Sequence, residues 1–397
     1  MGPMGSFGSD QPDEQALAAE PAGAEAQPPA PAIAPVRVIW AVGPQTFYRY
    51  ARVLQPLAVG LMDELVELSI ICPPAPANQP PLGMPCEVMP CPGRGWLGFR
   101  ESGIVRLGEN LRRLKVDLIH AVDASAAELS RQVALDQNLP YVVSSFDLAD
   151  ARRLGDIADE ADLMLAASKP IADALAARGR AGGRTRLLRP GVFHVRHATC
   201  FQEPGNSVAI VAGGPLENFL AFEAVLRCFA ELAARNFDCV FFVVGSGRAE
   251  RKLRQQALRL NLGPRITFID AMSMEQLARI FQDADIYITP AIQESIDMQS
   301  LLAMAAGVPV LAADGEGAND FLRDGQTVMS FARGNHEELT AKLSAMLDDR
   351  ASARALAESA LEYLRLNHSA AGNVTALAGM YRQVIACRKA SGSRPGP

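Results

Sequence analysis

Residues Asp283 to Ala313 read DADIYITPAIQESIDMQSLLAMAAGVPVLAA. Asp285 to Pro290 is a short apolar run ended by proline, as expected of a buried strand. Ala291 to Asp297 is a polar loop. Met298 to Ala306 is built of helix formers and stops at Gly307, a residue suited to a left-handed position just past a helix end. Val308 to Ala312 is the next buried strand. A strand-loop-helix-strand crossover of this kind belongs to a parallel sheet. It places the loop at the carboxyl edge, where open α/β sheets bind ligands. Glu294 therefore stands where a polar ligand would lie.

The same alternation runs outward in both directions. Upstream, strand patterns at Arg37 to Val42, Val66 to Cys72, Val116 to Ala121, Pro140 to Ser145 and Leu163 to Ala167 alternate with helix patterns. The helix patterns lie at Tyr48 to Asp63, Gly103 to Lys115, Ser125 to Gln137 and Ala149 to Glu160. Ser168 is placed to cap the following helix, with Pro170 in its first turn. Alternation restarts at Val208 to Ala212. It continues through helix 219–235, strand Cys239 to Val244, helix 249–260, strand Ile266 to Ile269 and helix 274–282. Two restarting sets predict two doubly wound parallel-sheet domains. The expected boundaries are a disordered tail over 1–35, a first domain over 36–190 and a linker over 191–207. A second domain over 208–370 is followed by a C-terminal helix over 371–390 and a disordered end over 391–397. A Pro-rich loop is expected over 73–92, and one long helix over Glu337 to Leu366.

Length and composition set limits. The 397 residues fit two domains, and 49% hydrophobic residues are ample for two cores. A formal charge of −6 argues against a nucleic-acid binder. The seven cysteines are scattered, with no paired spacing typical of zinc, so reduced thiols, a cytoplasmic location and no metal are expected. The first residues lack the basic start and apolar core of a secretory signal. The longest apolar runs, such as Leu301 to Ala313, fall short of the roughly 18 residues that span a bilayer. The basic segment 100–115 is expected to be an ordinary surface helix with a solvated face. Weak peripheral contact with an anionic membrane is the alternative.

The 283–313 stretch resembles the donor-site segment of the group-1 retaining glycosyltransferases, whose pattern is roughly E-G-F-G-x-x-x-x-E-A-M-A-x-G-x-P-V. Glu294, Ala303, Met304, Ala305, Gly307, Pro309 and Val310 match it. Shorter resemblances follow in family order. They are Asp117-Leu-Ile-His120, Ala161 to Ser168, Arg189-Pro-Gly-Val192, Val244-Gly-Ser-Gly247 with Arg265-Ile-Thr-Phe268, and Gly315-Glu-Gly317 with Asp320 to Gly325. The resemblance implies a GT-B fold, two Rossmann-like domains facing across a cleft, with the final helix crossing back to the first. It implies metal-independent transfer from a nucleotide-sugar donor, with no cofactor, to a glycan, lipid or small-molecule acceptor.

By that resemblance Glu294 is the catalytic candidate, binding donor-sugar hydroxyls and favouring positive charge at the anomeric carbon. The plainer alternative is a solvated loop carboxylate or a helix cap. Gly213, Gly214, Gly245, Gly247, Gly315 and Gly317 are candidates for close backbone approach to the nucleotide, and Ser295 for its phosphates. Asp297 also lies near the phosphates, although a plain N-cap suits it better. On the acceptor side the candidates are Gly43, Asp123 and Phe146, the last standing where the family has histidine. Asp147 either touches an acceptor or starts the next helix, and His120 is expected to be a satisfied core residue.

Several positions depart from the pattern. Leu302 replaces a second glutamate that accepts bonds from ribose. Gly214 and Asn218 replace an Arg/Lys pair for the phosphates, and Glu217 adds a negative charge beside them. Arg248 is a substitute cation or, more simply, a solvated helix-start residue. These departures keep a rival open: a catalytically degenerate GT-B-like protein that acts as a binding or partner subunit. A donor of another kind, such as a lipid-linked sugar phosphate, is a third option.

Overall fold

The computed structural model describes residues 34–72, 84–91, 94–95, 98–99, 101–154, 157, 159–177, 183–202, 207–270 and 274–391. The expected tail up to 33, most of the Pro-rich loop, Arg100 and the end from 392 lie outside the described residues.

The strands are β1 Val36–Ala41, β2 Val66–Cys72, β3 Glu87–Pro90, β4 Arg94–Gly95, β5 Gly98–Phe99, β6 Leu118–Ala121, β7 Tyr141–Ser145, β8 Leu163–Ala166 and β9 Thr185–Leu187, followed by β10 Val208–Gly213, β11 Cys239–Val244, β12 Ile266–Ile269, β13 Ile286–Thr289, β14 Val310–Asp314 and β15 Met329–Ala332. Seven of them form a sheet in the order β3-β2-β1-β6-β7-β8-β9, and six form a second in the order β12-β11-β10-β13-β14-β15. Every pair in these two sheets is parallel, while β4 and β5 form a small antiparallel pair. Helices cover both faces, so the central strands are continuous apolar runs rather than alternating ones. From Pro35 onward the chain forms one contact unit.

Both sheets reverse their direction of growth once: the first between β1 and β6, the second between β10 and β13. Loops leaving adjacent strands diverge at such a point and open a crevice at the carboxyl edge. The first crevice therefore receives Val42-Gly43 and Asp123. The second receives Gly213-Gly214 and the Pro290 to Asp297 loop.

Helix Met298–Ala305 ends as its sequence predicts. Gly307 has φ +76°, its N–H donates to Met304 O (3.0 Å), and Val308 N–H donates to Ala303 O (3.0 Å). These two bonds form a Schellman stop. The linker finishes the cap: Val195 N–H donates to Ala305 O (2.9 Å) and Thr199 Oγ1 donates to Ala306 O (2.6 Å).

The last helix, Ala370–Ser391, packs on helix Ala51–Asp63 of the first domain. Its fully buried Tyr381 lies in the first core. Trp40 Nε1 donates to Tyr381 Oη (2.8 Å), which lies 2.6 Å from His120 Nδ1. His120 Nε2 is 2.7 Å from Ser144 Oγ. With tryptophan donating to the phenol oxygen, the phenol proton points to His120 Nδ1, so Nε2 carries the ring proton toward Ser144. Burial pushes the His120 pKa down to about 3, which keeps the ring neutral. His120 is thus a satisfied core residue.

Some local expectations change. The predicted helix 337–366 is two helices, because Asp349 breaks the first and caps the second through Ser352 N (3.0 Å). The helix predicted from Tyr48 is also two, meeting at Tyr50. Ser168 occupies the N-cap position, but its hydroxyl makes no cap bond. All seven cysteines are free thiols, four of them buried. Burial raises the most enclosed, Cys228, to about 12. Among the described residues no helix is long and apolar enough to cross a membrane. Helix Glu101–Leu114 buries Leu107 and Leu111 in the first core and leaves Arg106, Arg112 and Arg113 in solvent. Its basic face is solvated, and Val105 of the same helix is exposed as well.

Candidate functional site

At the first crevice, Asp123 is 3% exposed and fully committed to local structure. Its Oδ2 accepts from Gly43 N (2.7 Å). Its Oδ1 accepts from Ser125 N (2.8 Å), Ser125 Oγ (2.5 Å) and Ala126 N (3.1 Å). Asp123 caps helix Ala124–Gln137 and ties down the loop after β1, so it has little capacity left for an acceptor. A Cβ at Gly43 would run into Ser125 Oγ and the Asp123 carboxylate, so this packing demands glycine. Asp147 starts the next helix, accepting from Ala149 N (2.6 Å) and Asp150 N (3.3 Å). The Phe146 ring stacks on Tyr50 (4.5 Å between centroids). Phenylalanine there fills space where a histidine would offer a polar nitrogen.

The second crevice contains more than the sequence suggested. Asp297, 2% exposed, caps helix Met298–Ala305 through Gln299 N (3.1 Å) and Ser300 N (3.2 Å). It also accepts from Ser300 Oγ (2.6 Å) and Thr289 Oγ1 (3.0 Å). All four donors are local, so Asp297 is a structural cap. Leu302 is 7% exposed and packs in the apolar core. Asn218 caps helix Phe219–Ala234 through Ala221 N (3.3 Å). Arg248 pairs with Glu217 (3.1 Å) at the surface.

The glycines of this crevice pack mainly on each other's loops. A Cβ at Gly245 would strike Gly214 O, and one at Gly247 would strike Leu216 and Glu217. Leu216 N–H donates to Ser246 O (3.0 Å), joining the loops after β10 and β11. A side chain on Gly315 would meet Ile292, one on Gly317 would meet Gln293 O, and one on Gly213 would meet Gln299 and Tyr287. Gln293, Thr289, Gly315, Gly317 and Asn319 line a small cavity of about 50 Å³.

The two crevices meet through the 293–297 loop. Leu148 N–H donates to Glu294 O (2.8 Å) and Ile296 N–H donates to Phe146 O (3.0 Å), so the two edges pair like a short antiparallel bridge between Asp147 and Ser295. Two first-domain arginines reach the same loop. Arg49 Nη2 donates to Ser295 Oγ (2.5 Å) and more distantly to Gln293 Oε1 (3.5 Å). Arg152 Nη1 pairs with Glu294 Oε1 at 2.9 Å, with the two side chains 53% and 59% exposed. More than half of the Glu294 side chain thus stays exposed. Neither arginine was a sequence candidate. Each sits on a helix at the carboxyl edge of the first sheet, and its partner lies more than a hundred residues away on the other domain. No local pattern carries that pairing.

Comparisons with known proteins agree with this architecture. Residues 210–363 match the family described as "Glycosyl transferases group 1", and residues 50–191 match "Glycosyl transferase 4-like domain". The chain is 28% identical over 257 residues to D-inositol 3-phosphate glycosyltransferase of Nocardia farcinica, covering 60% of this chain and 55% of that protein. It is 29% identical over 164 residues to alpha-D-kanosaminyltransferase of Streptomyces kanamyceticus, covering 41% and 42%. The matched part spans about half the length of these curated relatives. Among solved structures, HepE of Anabaena in complex with UDP and glucose superposes with a TM-score of 0.71 at 16% identity, covering 88% of this chain and 100% of that one. Sucrose-phosphate synthase from Thermosynechococcus elongatus gives 0.70 at 18% identity, with the same coverage. At these identities the structural likeness establishes the fold alone, and that fold is GT-B.

Proposed function

Since the chain belongs to the group 1 glycosyltransferases of GT-B fold, we propose that it transfers a sugar from a nucleotide-sugar donor, with retention and without a metal. The observation that carries this proposal is Glu294. In its loop Asp297 is spent on local capping, whereas the Glu294 side chain is more than half exposed and, among the described residues, its carboxylate pairs with an arginine of the facing domain. In the transferase the bond between the anomeric carbon and the diphosphate breaks. Negative charge grows on the leaving phosphate and positive charge on the sugar. A carboxylate hydrogen-bonded to the sugar hydroxyls favours the second, and donors around the phosphate favour the first. The relative named for D-inositol 3-phosphate supports a small hydroxylated acceptor.

A second reading, a partner subunit without catalysis, is favoured by Leu302 and Asn218. One is buried in the core and the other is used as a cap, where the resembled family has a carboxylate and a cation. Thermal unfolding with UDP, GDP and ADP and their sugars separates the two. A nucleotide at ~100 times its Kd adds about 2.7 kcal/mol of stability, an easily visible shift. A shift with one nucleotide class supports the transferase; none with any class moves the conclusion to the partner subunit or to a lipid-linked donor.

A further inference from the structure

The glycine loop after β10 contains no uncommitted cation. Gly214 adopts φ +138°, where any side chain would be strained. Asn218 is consumed as a cap, and Glu217 is tied to Arg248. Within this loop a doubly charged leaving group would find backbone dipoles and the Glu217 carboxylate but no cation. Yet a guanidinium hangs over the same loop from the opposite wall. Gln293 Nε2 lies 3.9 Å from where a Cβ on Gly214 would sit, and Gln293 Oε1 accepts from Arg49 Nη2 at 3.5 Å. The Arg49 cation thus stands one glutamine away from where a side chain at 214 would begin.

Arg49 is also well supported. Its helix, Pro44–Arg49, starts at the Gly43 turn that Asp123 holds, and its charge lies 5.8 Å from the Tyr50 ring centroid. Tyr50 is stacked in turn on Phe146. Only Nη2 bonds to protein among the described residues, which leaves the N–H groups of Nε and Nη1, on opposite sides of the guanidinium, to donate singly to phosphate oxygens.

Resting on the transferase proposal, we propose that Arg49 of the first domain binds the diphosphate of the nucleotide-sugar donor, taking the place of the cation that the glycine loop lacks. The donor is then held from both walls of the cleft: its phosphates by a first-domain arginine, and the rest of the molecule by the second domain.

Calorimetric titration of the full chain with UDP, GDP, ADP and the three matching nucleosides tests this, using wild type, Arg49→Gln and Arg49→Lys. A charged hydrogen bond to phosphate corresponds to roughly tenfold or more in affinity. The expected result is that wild type prefers one diphosphate over its nucleoside. Arg49→Gln then weakens the diphosphate about tenfold or more and leaves the nucleoside unchanged, and Arg49→Lys recovers part of the loss. Diphosphate affinity untouched in Arg49→Gln overturns the inference and leaves the transferase proposal standing. Equal loss of nucleoside and diphosphate in both variants also overturns it, because Arg49 would then act through the fold. Wild type without affinity for any nucleotide removes the transferase proposal and this inference together.

Discussion

The two crevices are built alike and furnished differently. Each lies at the reversal point of a parallel sheet, and each receives a carboxylate that caps a helix: Asp123 in the first, Asp297 in the second. In the first crevice that carboxylate also closes the loop of the neighbouring strand through Gly43, so the polar groups satisfy one another. In the second, the cap leaves Glu294, Gln293 and Ser295 beside it, and their side chains bond to arginines of the other domain. Polar residues bound within their own loop maintain the fold, while polar residues bound across the cleft can exchange a protein partner for a ligand.

The strongest way to break this division is to remove the caps. Asp297→Ala leaves two backbone N–H groups and two buried hydroxyls without an acceptor and should cost about 3 kcal/mol in urea unfolding. Asp123→Ala should behave similarly. A variant of either that keeps wild-type stability and loses only ligand binding would refute the structural assignment. Tyr381→Phe is next. It strands Trp40 Nε1 and His120 Nδ1 inside the first core and should lower stability by about 2 kcal/mol. An unchanged melting temperature would mean that water replaces the phenol.

Mild acidification probes the domain junction. His368 donates through Nδ1 to Pro190 O (2.8 Å), and burial lowers its pKa from 6.5 to about 4, with Arg189 pushing in the same direction. A depressed folded-state pKa means that this contribution is complete above about 6.5 and is lost as pH falls through about 4. The melting temperature of wild type should therefore drop faster over that window than that of His368→Gln; parallel curves would contradict the assignment. Glu294→Gln sharpens the comparison from the other side. It should reduce turnover tenfold or more, about 1.4 kcal/mol in the barrier, and change stability by less than about 0.5 kcal/mol. Unchanged turnover would remove Glu294 from the chemistry. The smallest effect is expected from Arg248→Ala, whose nucleotide affinity should equal that of wild type, because the charge is held by Glu217 at the surface.

The fold was largely legible because its signals are local. Cys239 to Val244 and Ile266 to Ile269 announce strands by apolar, β-rich composition, and Gly307 announces a helix end by the backbone angle it alone adopts freely. The strands that escaped notice, β3, β4, β5, β9 and β15, are short; β3, β9 and β15 are sheet edges and β4 and β5 a separate pair, where burial imposes little pattern. The site was legible only in part. Glu294 and the caps follow from position along the chain. The roles of Arg49 and Arg152 depend on which wall faces which, and that is decided by two cores and a linker rather than by neighbours in sequence.

The bond from Trp40 to Tyr381 joins residues 341 apart, and the one from His120 to Tyr381 joins residues 261 apart. During synthesis the first domain therefore emerges with a slot in its core, lined by an indole N–H and an imidazole, that its own sequence cannot fill. The residue that fills the slot follows the whole second domain along the chain. The first core therefore closes only after the stretch of chain that makes the second domain has been synthesised, which ties the folding of one domain to the production of the other.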